Sequence, residues 1–344
     1  MRFQTTVVLC GLMAMAVFAC DDGGGADPDG GTDTDSDTDT DTDSDTDTEP
    51  DGLTVEEVEP ENFSSVWVNG KIHVRFSAGA EGDFIDPETV QLFVDGEPVR
   101  SWEYYAEALG NREFRFVPFP VWAPGEEHEV TIAAGAAYAG DPSLELAEDY
   151  TWSFMVWDDP FLEEYDSAAT PALSGDELAA MAGSGPGAFG EADVVKDWED
   201  PASTLYEVSL PVQPDDPDVV AFGQKMLDSL GPLGGVGLAA PQVGVNRRAF
   251  AAIVNSEQRV FLNPRIESWS EDEWYIGFAE GCLSIDGVSS IVSRPASISV
   301  EFDTPEGEHV TGYTLENYQA KIFLHEYDHL NGILMTDREE RRSW

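Results

Sequence analysis

The sequence predicts a multidomain protein in which an all-β sandwich is followed by an α+β domain. The chain has 344 residues, which is enough for two or three domains of about 100–200 residues each. Residues 53–157 contain short runs in which apolar and polar side chains alternate, the pattern of half-buried strands. Residues 201–344 mix two helical patterns with strand-like runs. Because 42% of the residues are apolar, both parts can build packed cores.

A large excess of acidic residues limits the partners of the chain. It has 17 Lys and Arg against 68 Asp and Glu, which gives a formal net charge of -51. Such a field repels phosphate groups, so it argues against nucleic-acid binding and against docking on anionic lipid through a basic patch. We interpret the acidity as a solvated surface that resists aggregation.

The N-terminus has the pattern of an export signal. Arg2 precedes the apolar stretch from Val7 to Phe18, which is shorter than the about 20 residues of a spanning helix. Val17-Phe18-Ala19-Cys20 resembles the lipobox of bacterial lipoproteins. The resemblance implies a signal peptide at residues 1–19 and a lipid on Cys20. The protein would then be anchored in the cell envelope, facing the periplasm or the outside; an ordinary signal peptide with an incidental cysteine is the alternative.

Residues 20–52 are expected to form a disordered spacer rich in Asp and Thr. From residue 21 they hold 14 acidic residues and no Lys or Arg. The like charges repel one another, and there is no large apolar side chain to bury, so an extended solvated chain is expected. A calcium-binding repeat is the alternative, but the Asp-Thr and Asp-Ser repeats from Thr32 to Thr48 lack the glycines and the apolar anchor of such repeats.

The alternating runs of residues 53–157 predict six or seven strands in an antiparallel sandwich. Runs at 72–76, 90–94, 114–116 and 130–132 are followed by a final strand at Tyr150–Val156, with turns at Asp95-Gly96 and Pro124-Gly125. The Pro-Glu-Asn opening at residue 60, the segment APGEEHEVTI and the closing YTWSF resemble bacterial Ig-like modules. This resemblance implies an Ig-like β-sandwich.

Residues 158–200 are rich in Ala, Gly, Asp and Pro and are expected to form a linker that can pack on its neighbours, with a short helix around Asp176–Met181. The second domain opens with an extended segment, Leu205–Val212, and is predicted to contain a helix over Pro217–Leu230. Four strands are predicted after it: Arg248–Val254, Arg259–Asn263, Ser297–Phe302 and Glu308–Tyr313. A second helix, Leu315–Asn331, is predicted to end at Asn331-Gly332.

The second helix carries a candidate metal site. His325 and His329 are four residues apart, so both project from one helix face and can share a metal ion. Glu326 follows the first histidine and can place its carboxylate beside a water molecule. Leu315, Tyr318 and Ile322 are expected to continue this face into the domain.

A catalytic metal site also needs a third protein ligand and an open position. No His or Cys follows His329, and the acids Asp337, Glu339 and Glu340 lie in a charged tail. Cys282 is the better candidate. After loss of the signal and acylation of Cys20 it would be the only thiol of an exported protein, and metal binding would explain why it is kept.

Three motifs of the second domain resemble those of peptide deformylases. The motifs are Gly-Val-Gly-Leu-Ala-Ala-Pro-Gln at residues 235–242, Glu-Gly-Cys-Leu-Ser at 280–284 and His-Glu-Tyr-Asp-His-Leu-Asn-Gly at 325–332. They occur in the family order, and the resemblance covers about residues 204–338. It implies a peptide-deformylase-like α+β domain that contains the HExxH helix.

The resemblance also implies roles for single residues. Cys282, His325 and His329 would be the metal ligands, and Glu326 the general acid and base. The metal would be iron(II), with zinc, nickel or cobalt as alternatives; zinc suits an oxidising compartment. Asp328 is expected to hold the helix or a ligand through hydrogen bonds.

The same resemblance places donors and a substrate pocket near the metal. Gln242 and the backbone N–H of Leu283 would stabilise an oxyanion. Gly237 and the adjacent Val236 would contact the substrate, because glycine lets the backbone approach closely. Four apolar residues either line a pocket for a methionine-like side chain or pack in the core: Val236, Ile285, Ile322 and Phe323.

The activity implied by the family is metal-dependent hydrolysis of the N-formyl group of N-formylmethionyl peptides, here by a monomer. Because export would separate the protein from newly made chains, its substrate is open: released or imported formyl peptides, or another small N-acyl group. The alternative is a non-enzymatic envelope protein that uses the deformylase-like fold for binding. A protease of the HExxH type is a third reading, against which the position of Cys282 and the lack of a downstream ligand argue.

Overall fold

The computed structural model describes residues 52–66, 69–77, 89–99, 103–105, 113–118, 121–122, 124–138, 141–157, 170–270, 274–275 and 277–338. The predicted signal peptide, the lipidation site at Cys20 and the spacer lie outside these residues, as do residues 158–169 of the predicted linker. Within the described ranges, no helix is both long enough and apolar enough to cross a bilayer.

Two β-sheets share one hydrophobic core in the N-terminal part of the described chain. Its strands are β1 (Val55–Glu59), β2 (Ser64–Val66), β3 (Ile72–Phe76), β4 (Leu92–Val94), β5 (Glu97–Pro98), β6 (Glu103–Tyr105), β7 (Glu113–Phe116), β8 (Glu127–Ile132) and β9 (Tyr150–Val156). One sheet has the order β1-β3-β7-β6 and the other β2-β9-β8-β4-β5. The pairing is antiparallel except between β2 and β9, which run parallel. We call this part the sandwich; its relation to Ig-like modules stays a prediction.

The predicted alternation corresponds to burial in this part of the chain. In β3, Ile72, Val74 and Phe76 are buried, whereas the two residues between them are half-buried. Asp95 and Gly96 form the turn between β4 and β5, and both have positive φ, 51° and 81°. Such a turn matches the twist of a two-residue hairpin.

The C-terminal part is an α+β domain built on a five-stranded antiparallel sheet. Its helices are α1 (Gly175–Ala182), α2 (Pro217–Leu233) and α3 (Tyr318–Leu330). Its strands are β10 (Gly237–Ala239), β11 (Ala249–Val254), β12 (Glu257–Trp269), β13 (Trp274–Tyr275), β14 (Glu280–Cys282), β15 (Ile285–Ser290), β16 (Arg294–Pro295), β17 (Ser297–Asp303) and β18 (His309–Glu316). The sheet has the order β10-β11-β12-β17-β18, while β13 pairs with β16 and β14 with β15.

Strand β11 is buried on both faces, which places the two long helices. Ala249 and Ala251 belong to the core that includes α2. Phe250 and Ala252 alternate with them and belong to the core that includes α3. Since successive side chains of a strand point to opposite faces, α2 and α3 cover opposite sides of the sheet.

Helix α3 begins later than the sequence predicts. Leu315 is buried but lies in β18, and Asn317 has a positive φ of 49°, so the chain turns there and the helix starts at Tyr318. Tyr318 is 42% exposed, and it lines the same cavity as Ile322 and His325, so it continues the helix face of His325 as expected. Ile322 is buried, as expected.

Residues 170–200, expected to belong to a linker, pack on the α+β domain. Ser174 caps α1 and forms a capping box with Glu177. Arg247, only 2% exposed, donates to the Glu177 carboxylate and to the carbonyls of Pro171, Ala172 and Pro211. A buried guanidinium needs such partners for its donors, so the packed unit includes this segment.

The Arg247–Glu177 pair predicts a pH-dependent contribution to stability. Hydrogen bonds from Arg247 lower the pKa of Glu177 from 4.5 to about 2, although partial burial opposes the shift. The stabilisation is therefore complete above pH about 4.5 and is lost as the pH falls towards 2. Glu177→Gln is expected to lower the free energy of unfolding by about 1.5–3 kcal/mol at pH 7 and by less at pH 3, measured by urea denaturation.

Glu191→Gln is the matched control, because Glu191 is 82% exposed and lies 3.5 Å from the Lys196 ammonium. Exposed pairs of this kind contribute little to stability. An equal loss at pH 7 and pH 3 for Glu177→Gln would contradict the ion-pair explanation.

Candidate metal centre

Three elements of the α+β domain meet at the predicted site. Helix α3 contributes His325, Glu326 and His329, and the β14–β15 hairpin contributes Cys282. The turn after β10 contributes Gln242. The fold therefore brings together predicted site residues that are far apart in the sequence.

Cys282, His325 and His329 form a cluster with the composition and spacing of a metal site. One donor atom from each lies within 4.8 Å of the other two, and the Cys282 Sγ is 3.3 Å from the His329 Nε2. Bonds from zinc-like ions measure about 2.3 Å to sulfur and about 2.0–2.1 Å to nitrogen, so three such atoms fit around one ion. Asp337 is not part of this cluster, because it forms ion pairs with Lys71 and Arg115.

The cluster favours the thiolate form of Cys282. Burial alone would raise the pKa of this thiol, but His329 and His325 beside it bring the pKa well below its ordinary value. The thiolate is the form of cysteine that binds metals. The sulfur donor is thus favoured in the form that a metal binds.

A buried acidic side chain orients the first histidine. Glu280 accepts a hydrogen bond from the Nδ1 of His325 at 2.8 Å, which leaves the Nε2 of that ring to face the cluster. Glu280 is itself held by two hydrogen bonds from Arg294, of 2.7 and 2.9 Å. Burial opposes ionisation of Glu280, but Arg294 and His325 lower its pKa below the ordinary range. Carboxylate partners of this type fix the tautomer and direction of metal-binding histidines.

The sequence predictions do not include these supporting residues. Glu280 opens the cysteine motif, and this position is a sequence signal for its role. Arg294, 1% exposed in β16, carried none. It also donates to Asp328 at 2.6 Å, which gives Asp328 a hydrogen-bonding role of the kind expected for it.

The backbone of Ala239 orients the Gln242 side chain towards the cluster. Its Oε1 accepts a hydrogen bond from the N–H of Ala239 at 2.8 Å. The Nε2 therefore points the other way and lies 3.4 Å from the Cys282 Sγ. The side chain is 1% exposed, so this donor is held in place before any ligand arrives.

Glu326 lies beside the cluster as a buried carboxylate with spare hydrogen-bonding capacity. Its Oε2 is buried and has no hydrogen-bond partner among the described residues. Burial raises the pKa of Glu326 to about 7, although His325 and His329 oppose the shift. Gly237 faces it so closely that a Cβ there would lie 2.1 Å from the Glu326 Oε1. Gly237 is therefore required as glycine by the position of this carboxylate.

A cavity of about 370 Å³ opens in front of these groups. Its apolar wall is formed by Val236, Phe278, Leu283, Tyr318 and Ile322, and Gly237, Gln242, Cys282, His325 and Glu326 line its polar side. Of the four apolar residues considered for a pocket, Val236 and Ile322 line this cavity. Ile285 and Phe323 pack in hydrophobic cores instead.

Lys196, in the segment 170–200 that packs on the α+β domain, supports the turn after Cys282. The Lys196 Nζ donates to the carbonyl of Leu283 at 2.7 Å and to Asp286 at 2.6 Å. These bonds hold the backbone of Leu283, the residue expected to supply an oxyanion donor. Residues 170–200 thus contribute to the order of the site as well as to the packing of the domain.

The cluster predicts a metal content that single substitutions reduce. We expect about one divalent ion per chain in wild-type protein, and far less in Cys282→Ala and His325→Ala, because each variant removes one of three ligands. Elemental analysis of dialysed protein measures this directly. His309→Ala is the control, since His309 lies on β18 with its side chain 54% exposed; full occupancy in both ligand variants would contradict the assignment.

Comparison with known proteins places the site in a family. Residues 194–343 match the family model described as polypeptide deformylase. The peptide deformylase of Treponema pallidum (strain Nichols) is 41% identical over 140 residues, which are 40% of this chain and 85% of that protein. That of Cytophaga hutchinsonii is 38% identical over 142 residues, 39% of this chain and 75% of that protein. The crystal structure of peptide deformylase from Thermotoga maritima is 34% identical in sequence, with a TM-score of 0.40. The match covers 43% of this chain and 97% of that protein.

These matches lie in the C-terminal part of the chain and contain all three ligand candidates, Gln242 and Glu326. The family model begins at residue 194 and therefore does not include the sandwich. On the identity and coverage of its relatives, the chain belongs to the peptide deformylase family.

Proposed function

We propose that the α+β domain removes the N-formyl group from peptides that begin with N-formylmethionine. One observation carries the proposal. Glu326 presents a buried carboxylate oxygen, unpartnered among the described residues, next to the Cys282–His325–His329 cluster and to a cavity. A proton-transferring group, a cation site and a substrate space therefore coincide.

The metal would be held by Cys282, His325 and His329. When bound, a divalent ion supplies Lewis acidity, which lowers the pKa of water and polarises a carbonyl group. A set of one sulfur and two imidazole donors suits iron(II) and zinc. The family resemblance favours iron(II), while the proposed oxidising location favours zinc.

The residues of the chain then have distinct tasks. Glu326 takes a proton from the attacking water and delivers it to the nitrogen of the leaving amine. The formyl C–N bond breaks, and the products are formate and a peptide with a free amino terminus. The Gln242 amide and the backbone N–H of Leu283 donate hydrogen bonds to the oxygen that becomes negative during the attack.

The cavity sets the size and polarity of the substrate. Its walls at Val236, Leu283 and Ile322 are apolar, so they suit an unbranched apolar side chain such as methionine. Val236 and Phe278 are exposed, 43% and 78%, and stand where the peptide would leave the cavity. Gly237 and Val236 provide backbone next to the reacting group.

A purely binding role is the alternative function. A binding protein needs the cavity but needs neither a buried base nor three converging ligands. Both are present together with an oriented Gln242, and this favours catalysis.

We further propose that the enzyme works in the cell envelope, tethered by a lipid on Cys20. The lipobox-like Val17–Cys20 and the acidic spacer support this proposal. A flexible chain of the 32 residues from 21 to 52 spans roughly 30 Å, and more when its charges repel. Its substrates would then be formyl peptides outside the cytoplasm.

Glu326→Gln tests the chemistry. Glutamine is nearly isosteric but cannot shuttle a proton, so hydrolysis of formyl-Met-Ala-Ser should fall by roughly 10²-fold or more while the metal content stays unchanged. Gly237→Ala should also reduce turnover, because the Cβ of the alanine would displace the Glu326 carboxylate. Formate release and bound metal are measured on the same preparations.

Glu316→Gln is the control, because Glu316 is an exposed residue of β18. Near wild-type turnover in Glu326→Gln would show that the base lies elsewhere. If the wild-type, metal-loaded protein releases no formate from any formyl-Met peptide, the binding role becomes the better account.

Cys20→Ser tests the location. It should move the protein from the membrane fraction to a soluble fraction without changing turnover on small formyl peptides, since Cys20 lies outside the domain that carries the site. Metabolic labelling with a fatty acid gives the direct measurement. Wild-type protein that takes up no label and stays in the cytoplasm would contradict the tethering.

A further inference from the structure

The sandwich contacts the segment that follows helix α3. We call this segment, residues 331–338, the docking segment. Gly332 approaches Asn69 so closely that a Cβ would lie 2.9 Å from its Nδ2. Asp337 forms ion pairs with Lys71 and Arg115, and Val208, which pairs with Asn331, packs against the core of the sandwich.

Arg338 is the residue of this segment that reaches both parts of the protein. Its guanidinium donates to the carbonyls of Val117 at 3.4 Å and Pro118 at 3.0 Å, both in the sandwich. It also donates two hydrogen bonds, of 2.7 and 2.8 Å, to the carboxylate of Asp328 on α3. With its side chain 8% exposed, Arg338 is a buried bridge between the sandwich and the helix that carries both histidines.

From Asp328 a continuous series of charged hydrogen bonds leads to the metal site. Asp328 accepts from Arg294, Arg294 donates to Glu280, and Glu280 accepts from the ring of His325. The side chains of Asp328, Arg294 and Glu280 are at most 5% exposed. Hydrogen bonds between ionised groups are short and strong, and a displaced member leaves a buried charge without its partner.

The sandwich end of this series has no counterpart in a relative that consists mainly of the deformylase domain. The Treponema protein is covered over 85% of its length by 140 residues of this chain, which leaves too little for a module of the size of the sandwich. The two carbonyls that Arg338 uses therefore come from a part that such a relative lacks.

We propose that the sandwich positions the metal centre, with Arg338 as the positioning residue. By accepting hydrogen bonds from Arg338, Val117 and Pro118 fix the guanidinium that holds Asp328. Asp328 in turn holds Arg294 and Glu280, and Glu280 sets the direction of the His325 ring. Loss of the docking contact loosens a metal ligand at the other end of the series. The inference rests on the metal site and not on the identity of the substrate.

Metal release from the full-length protein tests this, because it does not depend on activity. Protein loaded with Co²⁺ is mixed with an excess of a chromogenic chelator, and the rate of transfer is followed together with the thiolate-to-cobalt absorption. Arg338→Ala should speed release severalfold, by less than the roughly 10–100-fold effect of removing a group that bonds a metal ligand directly, because three residues separate Arg338 from His325 in the series. Arg338→Lys, which keeps the charge but not the fork of donors, should fall between wild type and Arg338→Ala.

A second variant approaches the same contact from the sandwich. Lys71→Glu places a negative charge opposite Asp337 and touches no member of the series from Arg338 to His325. It should speed metal release in the same direction. Combined with Arg338→Ala it should add little, because both changes break one contact. Arg75→Glu is the matched control: its ion pairs, with Glu57 and Glu113, lie within the sandwich.

The outcomes are distinct. Faster release in Arg338→Ala and Lys71→Glu, with Arg75→Glu at the wild-type rate, supports the positioning role. Wild-type release in Lys71→Glu overturns it, even if Arg338→Ala fails to fold. Equal acceleration in Lys71→Glu and Arg75→Glu also overturns it, because general weakening of the sandwich would then be the cause.

Discussion

The buried ion pairs of Arg294 are the interaction on which the metal centre depends. Arg294 lies in β16, and its partners Glu280 and Asp328 lie in β14 and α3. Removing three charges from water costs several kcal/mol for each unless they are fully paired, so the three elements are held at the separation that pairs them. That separation also brings Cys282, two residues after Glu280 along the chain, within reach of His329 on α3.

The layers of the domain explain the other properties of the site. Helix α3 is covered by the aromatic core on the sheet, where Phe250 and Phe261 contact Phe323 at 5.1 and 5.2 Å between ring centroids. Glu326, on the same helix, is itself only 4% exposed, and this burial raises its pKa to about 7. A bound cation would lower that pKa again, because it favours the charged form. The C-terminal end of the same helix lies beside the sandwich.

The sequence predicted the candidate site residues, but it did not predict the residues that hold them in place. The spacing of His325 and His329 and the single retained Cys282 pointed to the cluster that the structure brings together. The partners of Arg294 and Arg247 escaped prediction because contacts of a buried arginine with distant carboxylates or backbone carbonyls leave no periodic pattern. The start of α3 was misplaced because Leu315 is apolar and fits the helical spacing, whereas the turn at Asn317 depends on a backbone conformation that spacing does not encode. The composition of residues 170–200 predicts a linker that can pack on its neighbours, and it does not predict the anchor of that packing, because Arg247 is remote in sequence.

X-ray absorption spectroscopy of the zinc-loaded, full-length protein tests the central claim most directly, because it identifies the atoms bound to the metal. The account predicts one sulfur at about 2.3 Å and two imidazole nitrogens at about 2.0–2.1 Å, with the sulfur contribution absent in Cys282→Ser. A wild-type spectrum with no sulfur, or with no imidazole contribution, would contradict the Cys282–His325–His329 site.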